Sequence, residues 1–173
     1  MKHSLHLFPA AFLLLGLAKA FAGNFDLSQA VIVVRSGELP NAEKTAATVL
    51  IEEVEKRSGV RLHKSAVWPL GEPAIAITSS QHVQGWNRNI PAAKIGPEGY
   101  RLYLDESSSP GTLWVIGADA RGTLFGVGQL IRRLDWTLGK LSVASPLDLT
   151  TAPAYAIRGH QLGYRSTMTA PRP

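Results

Sequence analysis

The 173-residue sequence contains no cysteine. This absence excludes disulfide frameworks, cysteine-ligated zinc or iron–sulfur sites, and thiol nucleophiles. The 16 glycines and 11 prolines follow no fixed period, which excludes a collagen-like or low-complexity chain. With 45% hydrophobic and 18% charged residues, the composition is that of one modest globular domain.

Histidine is scarce, and the sequence has no recognisable metal or nucleotide motif. His63, His82 and His160 are the histidines outside the N-terminal 22 residues, and none has a second ligand at the spacing of a helix or hairpin metal site. The segment 117–122 lies where a phosphate loop would lie but lacks both the dinucleotide glycine pattern and Gly-Lys-Ser/Thr. We therefore expect no metal and no cofactor, and we interpret these glycines as packing residues.

Residues 1–22 are predicted to be a secretory signal peptide. Lys2 precedes an apolar stretch over residues 5–17, and the small residues Ala20 and Ala22 are typical of a cleavage site. The stretch is too short to span a bilayer, and no later run approaches the roughly 20 apolar residues of a membrane helix. We expect cleavage after Ala22 and a secreted or periplasmic protein with no membrane contact. A buried N-terminal helix and an uncleaved anchor are the alternatives.

The excess of positive charge belongs partly to this leader. The whole sequence has 18 Lys plus Arg against 13 Asp plus Glu, and without Lys2 and Lys19 the basic residues number 16. The remaining basic residues are scattered, and the pair Arg132-Arg133 falls at the end of a predicted helix. The sequence therefore does not predict nucleic-acid binding.

The sequence after the leader alternates between strand and helix patterns. Short β-branched or alternating apolar runs predict strands, and apolar residues at helical spacing predict helices. The predicted strands are 30–34, 60–68, 74–78, 98–105, 112–117 and an edge strand at 141–144, and the predicted helices are 41–58 and 120–134. This order predicts an α/β fold, a two-layer sandwich of one mixed four- to six-stranded sheet with two helices on it.

The second predicted helix contains two glycines on one face. Gly122 and Gly126 lie four residues apart, and each costs up to about 1 kcal/mol relative to alanine in a helix. We expect this face to approach the sheet unusually closely. Asp119, just before the helix, is the predicted N-cap.

Three segments carry a resemblance to known enzymes. They are residues 98–102 (Glu-Gly-Tyr-Arg-Leu), residues 117–130 and residues 153–159. Together they resemble the non-catalytic N-terminal domain of family 20 β-hexosaminidases and of α-glucuronidases, which immediately precedes a TIM barrel. The resemblance implies that residues 23–152 form an accessory domain. It also implies that residues 153–173 begin a catalytic barrel that is truncated in this chain.

The resemblance also implies one candidate sugar contact. Residues 157–159 would form the first barrel strand, and Arg158 within it would donate hydrogen bonds to sugar hydroxyls, since a guanidinium offers five donors in a fixed plane. Alternatively, Arg158 pairs with a carboxylate at the domain junction. No catalytic residue is expected, because glycoside hydrolysis ordinarily uses two carboxyl groups flanking one bond. Asp105 and Glu106 are adjacent at the end of the predicted strand 98–105, and neighbours on an extended chain point to opposite faces.

The sequence therefore predicts the N-terminal accessory domain of an exported glycoside hydrolase, in the form of a gene fragment or a truncated product. It would pack on, and stabilise, a catalytic barrel in cis or in the full-length gene product, and alone it would be inactive. The alternative is a free-standing exported module that binds carbohydrate or a partner. Trp86 is then the candidate sugar platform, whereas Trp114 and Trp136 are predicted core residues.

Overall fold

In the computed structural model, residues 23–155 are described, apart from residues 87, 89 and 92. The predicted leader, the predicted first barrel strand and Arg158 lie outside the described residues. The two helices are α1 (Asn41–Ser58) and α2 (Ala120–Arg133), and a short 3-10 helix spans Val83–Trp86. The strands are β1 (Gly23–Asp26), β2 (Val31–Val34), β3 (His63–Ser65), β4 (Ala74–Ser79), β5 (Tyr100–Asp105), β6 (Thr112–Gly117), β7 (Leu134–Thr137), β8 (Lys140–Ser145) and β9 (Asp148–Thr151).

The main sheet has six strands in the order β3-β2-β4-β6-β5-β9. Strands β3, β2, β4 and β6 are parallel to one another. Strand β5 is antiparallel to both β6 and β9. Helix α1 makes the crossover that a parallel β2–β3 pair requires. The predicted mixed sheet with two helices on it is therefore confirmed.

The core lies between the main sheet and the two helices. Strand residues that alternate toward the helices are fully or nearly fully buried, as are the apolar stripes of the helices. The largest members of this cluster are Ile32, Leu50, Ile75, Leu102, Leu113, Leu130 and Leu141. Burial of these aliphatic side chains is the main favourable contribution to folding.

Helix α1 begins and ends as its sequence indicates. Gly59 adopts the left-handed conformation with φ of 72°, and its N–H donates to the Glu55 carbonyl at 2.8 Å. Glu53 on the polar side accepts from Arg57 one turn later. Glu53 and Glu55 therefore lie on a solvated face with local ion pairs, whereas Glu43 in the first turn is buried and pairs with Arg35.

The structure differs from the expected strands in two places. The strand predicted over 60–68 is ordered as a strand only at β3, and β8 is not an edge strand of the main sheet. Instead, β8 is the central strand of a separate three-stranded sheet in the order β1-β8-β7. The cause is local: β7 follows α2 without a connecting residue, and a turn at Gly139, with φ of 73°, folds β8 back on β7.

Neither of the α-helices in the described part of the chain is long and apolar enough to cross a membrane.

Candidate functional site

Two of the segments that carry the family resemblance meet at one corner of the main sheet. There the start of β5, the N-terminus of α2 and the end of β9 come together, and β9 is followed by residues 152–155, the last that the structure describes. We call this region the exit corner. It consists of residues 98–100, Asp119, Gly122, Phe125 and residues 151–155.

Asp119 joins the elements of the exit corner. Its Oδ1 accepts from the Gly122 N–H at 2.8 Å, which caps α2 as predicted, and its Oδ2 accepts from the Glu98 N–H at 2.9 Å. Burial acts to raise the pKa of the Asp119 carboxyl, but these backbone donors outweigh it, and the pKa is lowered from its ordinary value. The ionised carboxylate therefore stabilises the folded corner.

The glycines of the exit corner permit backbone contacts that no other residue would allow. A Cβ at Gly122 would lie 2.1 Å from the Gly99 carbonyl oxygen, and a Cβ at Gly99 would lie 2.6 Å from the Thr151 carbonyl oxygen. One helical turn later, a Cβ at Gly126 would lie 2.9 Å from Val115 Cγ1. The predicted close approach of the α2 glycine face to the sheet is confirmed.

The same packing explains the glycine at the strand-to-helix turn. A Cβ at Gly117 would lie 2.2 Å from the backbone nitrogen of Thr123. The backbone of α2 itself therefore fills the space above this turn. This close approach agrees with the interpretation of Gly117 and Gly122 as packing residues.

The outer surface of the exit corner combines charged and apolar groups. Glu98, at φ of 54°, pairs with Arg121 at 2.5 Å, and the Arg121 guanidinium lies 5.9 Å from the centre of the Phe125 ring. Phe125 is 37% exposed and Tyr155 is 76% exposed. Residues 151–153 border a cavity of about 210 Å³ that Phe125 also lines. Two exposed aromatic side chains, Phe125 and Tyr155, thus lie at the exit corner, and Phe125 borders residues 151–153.

A buried arginine ties the edge strand β9 to the sheet. Arg101 donates from Nε and Nη2 to the two carboxylate oxygens of Asp148, both at 2.8 Å, and from Nη1 to the Pro91 carbonyl. Hydrogen bonding to Arg101 lowers the pKa of Asp148. The guanidinium lines a cavity of about 160 Å³, but each of its three nitrogens already donates a hydrogen bond within the domain. We interpret it as a structural group.

Three tryptophans cover the sheet face opposite the helices. Trp114 on β6 is buried, and the centres of the Trp68 and Trp86 rings lie 5.5 and 5.7 Å from it. Trp86 is half-buried between its neighbours, so it does not form the free platform that the sequence suggested. Trp114 is a core residue as predicted. Trp136 is half-buried against the main core.

The remaining candidates from the sequence do not converge. Asp105 accepts from the backbone and hydroxyl of Ser107, whereas Glu106 accepts from Ser145. Within the described part of the chain, no group of three His, Asp or Glu side chains lies close enough to hold a metal ion. The sequence did not single out Trp68 or Phe125. The fold identifies Phe125 by its 37% solvent exposure and Trp68 by its ring contacts with Trp86 and Trp114.

The sandwich, its exit corner and the chain direction define a small α/β accessory domain. The sequence model of glycosyl hydrolase family 20, domain 2, matches residues 15–143. The chain belongs to this family. It is a glycoside hydrolase accessory domain, and domain 2 of family 20 normally accompanies a catalytic TIM barrel.

Solved structures share the fold at low sequence identity. A family 20 exo-β-N-acetylglucosaminidase from Vibrio harveyi is 15% identical, with 78% of this chain and 17% of that chain covered and a TM-score of 0.51. A family 20 β-N-acetylhexosaminidase from Streptomyces coelicolor A3(2) is 19% identical, with 78% and 24% covered and a TM-score of 0.50. The protein CpGH84B is 17% identical, with 79% and 21% covered and a TM-score of 0.51.

The chain spans about a fifth of the length of these three structures. At such identities the similarity shows the fold alone. A search of curated protein sequences gives no significant match.

Proposed function

We propose that this chain is the N-terminal accessory domain of an exported glycoside hydrolase and that it packs on, and stabilises, a catalytic TIM barrel. The observation that carries the proposal is the exit corner, where family motifs, exposed aromatic side chains and the outgoing chain coincide. A barrel that follows Tyr155 in the same polypeptide would begin directly beside this surface. Its contact area would therefore be available without a long linker.

The rigidity of the exit corner supports a stabilising role. The carboxylate of Asp119 and the glycines Gly99 and Gly122 hold three elements in contact through the backbone. A surface held in this way loses little conformational entropy when it docks. Phe125 and Tyr155 supply the large aromatic side chains that dominate the energetics of many interfaces. The domain would thus act as a preformed support for the start of the barrel.

The chemistry of catalysis would belong to the barrel and not to this domain. Several described acidic residues outside α1 are engaged within the domain: Asp119 caps a helix, Asp148 pairs with an arginine, and Asp105 and Glu106 bond to serines. Arg158 stays a predicted sugar contact, and the rest of the sugar-binding site would come from the barrel. In this proposal, residues 1–22 are an export signal, and the enzyme is secreted or periplasmic.

The experiment begins with the coding sequence downstream of Pro173. If it encodes a barrel, in frame or after a frameshift, that barrel is produced alone and fused to residues 23–173 in the natural order. We expect the fused protein to melt at a higher temperature than the isolated barrel and to resist proteolysis longer. A barrel whose melting temperature and proteolysis are unchanged by the domain contradicts the stabilising role.

The absence of any encoded barrel would contradict the accessory role for this gene product. It would favour the alternative, a free-standing exported module that binds carbohydrate or a partner. A polar pocket on the sheet face opposite the helices favours carbohydrate binding as the second candidate function. This pocket does not depend on the exit corner.

A further inference from the structure

A polar pocket lies on the sheet face opposite the helices, at the far end of β6 from the exit corner. It encloses about 150 Å³ between the segment before β4 and the turn that joins β5 to β6. Its side chains are those of Trp68, Glu72, Arg88, Ser108, Ser109 and Thr112, with Pro69, Leu70, Ala74 and Pro110 completing the wall. We call it the Trp68 pocket.

The polar groups of the Trp68 pocket have unused hydrogen-bonding capacity. Among the described residues, the side chain of Arg88 makes no hydrogen bond or ion pair, although its carbonyl accepts from the Ile90 N–H. The hydroxyls of Ser109 and Thr112 make no hydrogen bond in the same part of the chain. Glu72 accepts only from the neighbouring Gly71 N–H, through Oε2. This differs from the Arg101 cavity, where the guanidinium makes three hydrogen bonds to Asp148 and Pro91. The pocket therefore presents both free donors and free acceptors.

Trp68 gives the pocket an apolar wall of fixed orientation. Its ring packs edge-on against Trp86 with centres 5.5 Å apart, and it lies 5.5 Å from the buried Trp114. The Arg88 guanidinium stacks over the Trp68 ring at 4.4 Å, which restrains an otherwise flexible and exposed side chain. An aromatic wall with a restrained guanidinium beside it is thus formed before any ligand arrives.

From these features we infer that the Trp68 pocket is a binding site for a single ring of a neutral saccharide. Sugar hydroxyls act as both donors and acceptors, so they match a carboxylate, a guanidinium and two hydroxyls placed around one cavity. The apolar face of the ring would pack on the part of the Trp68 indole that Arg88 leaves uncovered and on Pro69 and Pro110, which also line the cavity. The cavity is smaller than the 300–1,000 Å³ or so of typical pockets for drug-sized ligands, which limits the bound part to about one ring.

The charges of the pocket select against acidic saccharides. Glu72 and Arg88 carry opposite charges and line the same cavity, so their net charge is zero. A uronate carboxylate beside Arg88 would also lie close to Glu72 and would be disfavoured by it. We therefore expect neutral sugars to be preferred.

The site is independent of the barrel-docking proposal. The Trp68 pocket is lined by Ala74 and Thr112, which pair at one end of β4 and β6, whereas the exit corner lies beyond Gly117 at the other end. A barrel seated at the exit corner would leave the pocket open. The domain could then hold a polysaccharide chain while the barrel acts on it.

The test is a calorimetric titration of the gene product, purified in the form that the cell exports, with four oligosaccharide probes. Three are neutral, the trimers of N-acetylglucosamine, glucose and xylose, and the fourth is the trimer of galacturonate. We expect saturable binding of at least one neutral trimer and weaker binding of the galacturonate trimer. Absence of saturable binding by all neutral trimers, or a preference for galacturonate, would overturn the inference.

Matched variants locate the binding. Arg88→Gln and Glu72→Gln should each weaken binding at least about tenfold, because each removes a charged hydrogen-bond partner. Arg132→Gln and Glu52→Gln make the same changes at exposed helix positions and should bind like the wild type. Equal affinity in all four variants would show that the sugar binds elsewhere. Phe125→Asp at the exit corner should retain full sugar binding, which separates this test from that of barrel docking.

Discussion

The carboxylate of Asp119 accepts a hydrogen bond from the backbone N–H of Glu98 at 2.9 Å. Through this contact the residue that caps α2 also fixes the turn that enters β5. Its other oxygen accepts from the Gly122 N–H at 2.8 Å, so a single carboxylate orders both the start of α2 and the turn before β5. The exit corner therefore depends on one ionised side chain.

Substitution Asp119→Ala should destabilise the domain by about 1–2 kcal/mol at neutral pH, since it removes an N-cap and leaves backbone donors without their partner. The pKa of Asp119 is lowered in the folded state. Its contribution is thus present above the unfolded-state pKa of about 4 and is lost as the pH falls through the lower folded-state value. Thermal melts at several pH values should show a gap between variant and wild type that narrows below about pH 4. A gap independent of pH would contradict this role.

Gly126→Leu should destabilise the fold by at least about 1–3 kcal/mol, because the new side chain would force α2 away from the sheet. A Cβ there would already lie 2.9 Å from Val115 Cγ1 and 3.1 Å from the Tyr100 Cβ. The control is Arg132→Ala, an exposed position on the same helix, for which we expect a change within about 0.5 kcal/mol. Urea unfolding of both variants measures the difference. Similar stabilities would show that the glycine face is not tightly packed.

Asp148→Asn should loosen the edge strand β9. Arg101 is 4% exposed and would lose the ionised partner of its paired hydrogen bonds. Because Asp148 itself is about half exposed, solvent screening moderates the loss, and we expect about 1–2 kcal/mol. Amide hydrogen exchange should accelerate in β9 more than in β4. The control is Asp135→Asn, an exposed change in β7, for which hydrogen exchange in β9 should match the wild type. If exchange in β9 is also at the wild-type rate in Asp148→Asn, the pair Arg101–Asp148 does not hold β9 on the sheet.

Export with cleavage after Ala22 gives a simple mass-spectrometric expectation. Protein recovered from the periplasm or the medium should begin at Gly23, the first residue of β1. Asn24 and Phe25 pair with β8, so a new N-terminus at Gly23 leaves the three-stranded sheet complete. An intact, uncleaved species confined to the cytoplasm would contradict the export proposal.

The sequence predicts the central elements of this fold because their burial is regular. The strands β4 and β6 are continuous apolar runs, and α2 has a clear apolar stripe that ends at Leu134. Strands β1 and β9 have no such pattern, since both are edge strands with mostly exposed side chains. Their existence depends on partners far away in the chain. The same holds for β7, where the helical spacing simply runs on into an extended segment.

The exit corner was partly visible in the sequence, and the Trp68 pocket was not. Gly122 and Gly126 are costly in a helix, so their presence indicated a close contact. By contrast, Trp68 and Arg88 lie in two loops on either side of β4, and nothing in their spacing predicts that one stacks on the other. Contacts between loops depend on the whole fold. Sequence patterns with periods of two or 3.6 residues carry no information about them.

The central claim is that the exit corner carries the catalytic barrel. The most direct measurement compares two exposed α2 variants, Phe125→Asp and Arg132→Ala, in the protein that contains both the domain and the barrel encoded downstream. Phe125→Asp should lower the melting temperature of the barrel toward that of the isolated barrel, because it places a charge in an apolar contact, while Arg132→Ala should leave it unchanged. A barrel that melts at the wild-type temperature in Phe125→Asp, with the domain still folded, would contradict the account.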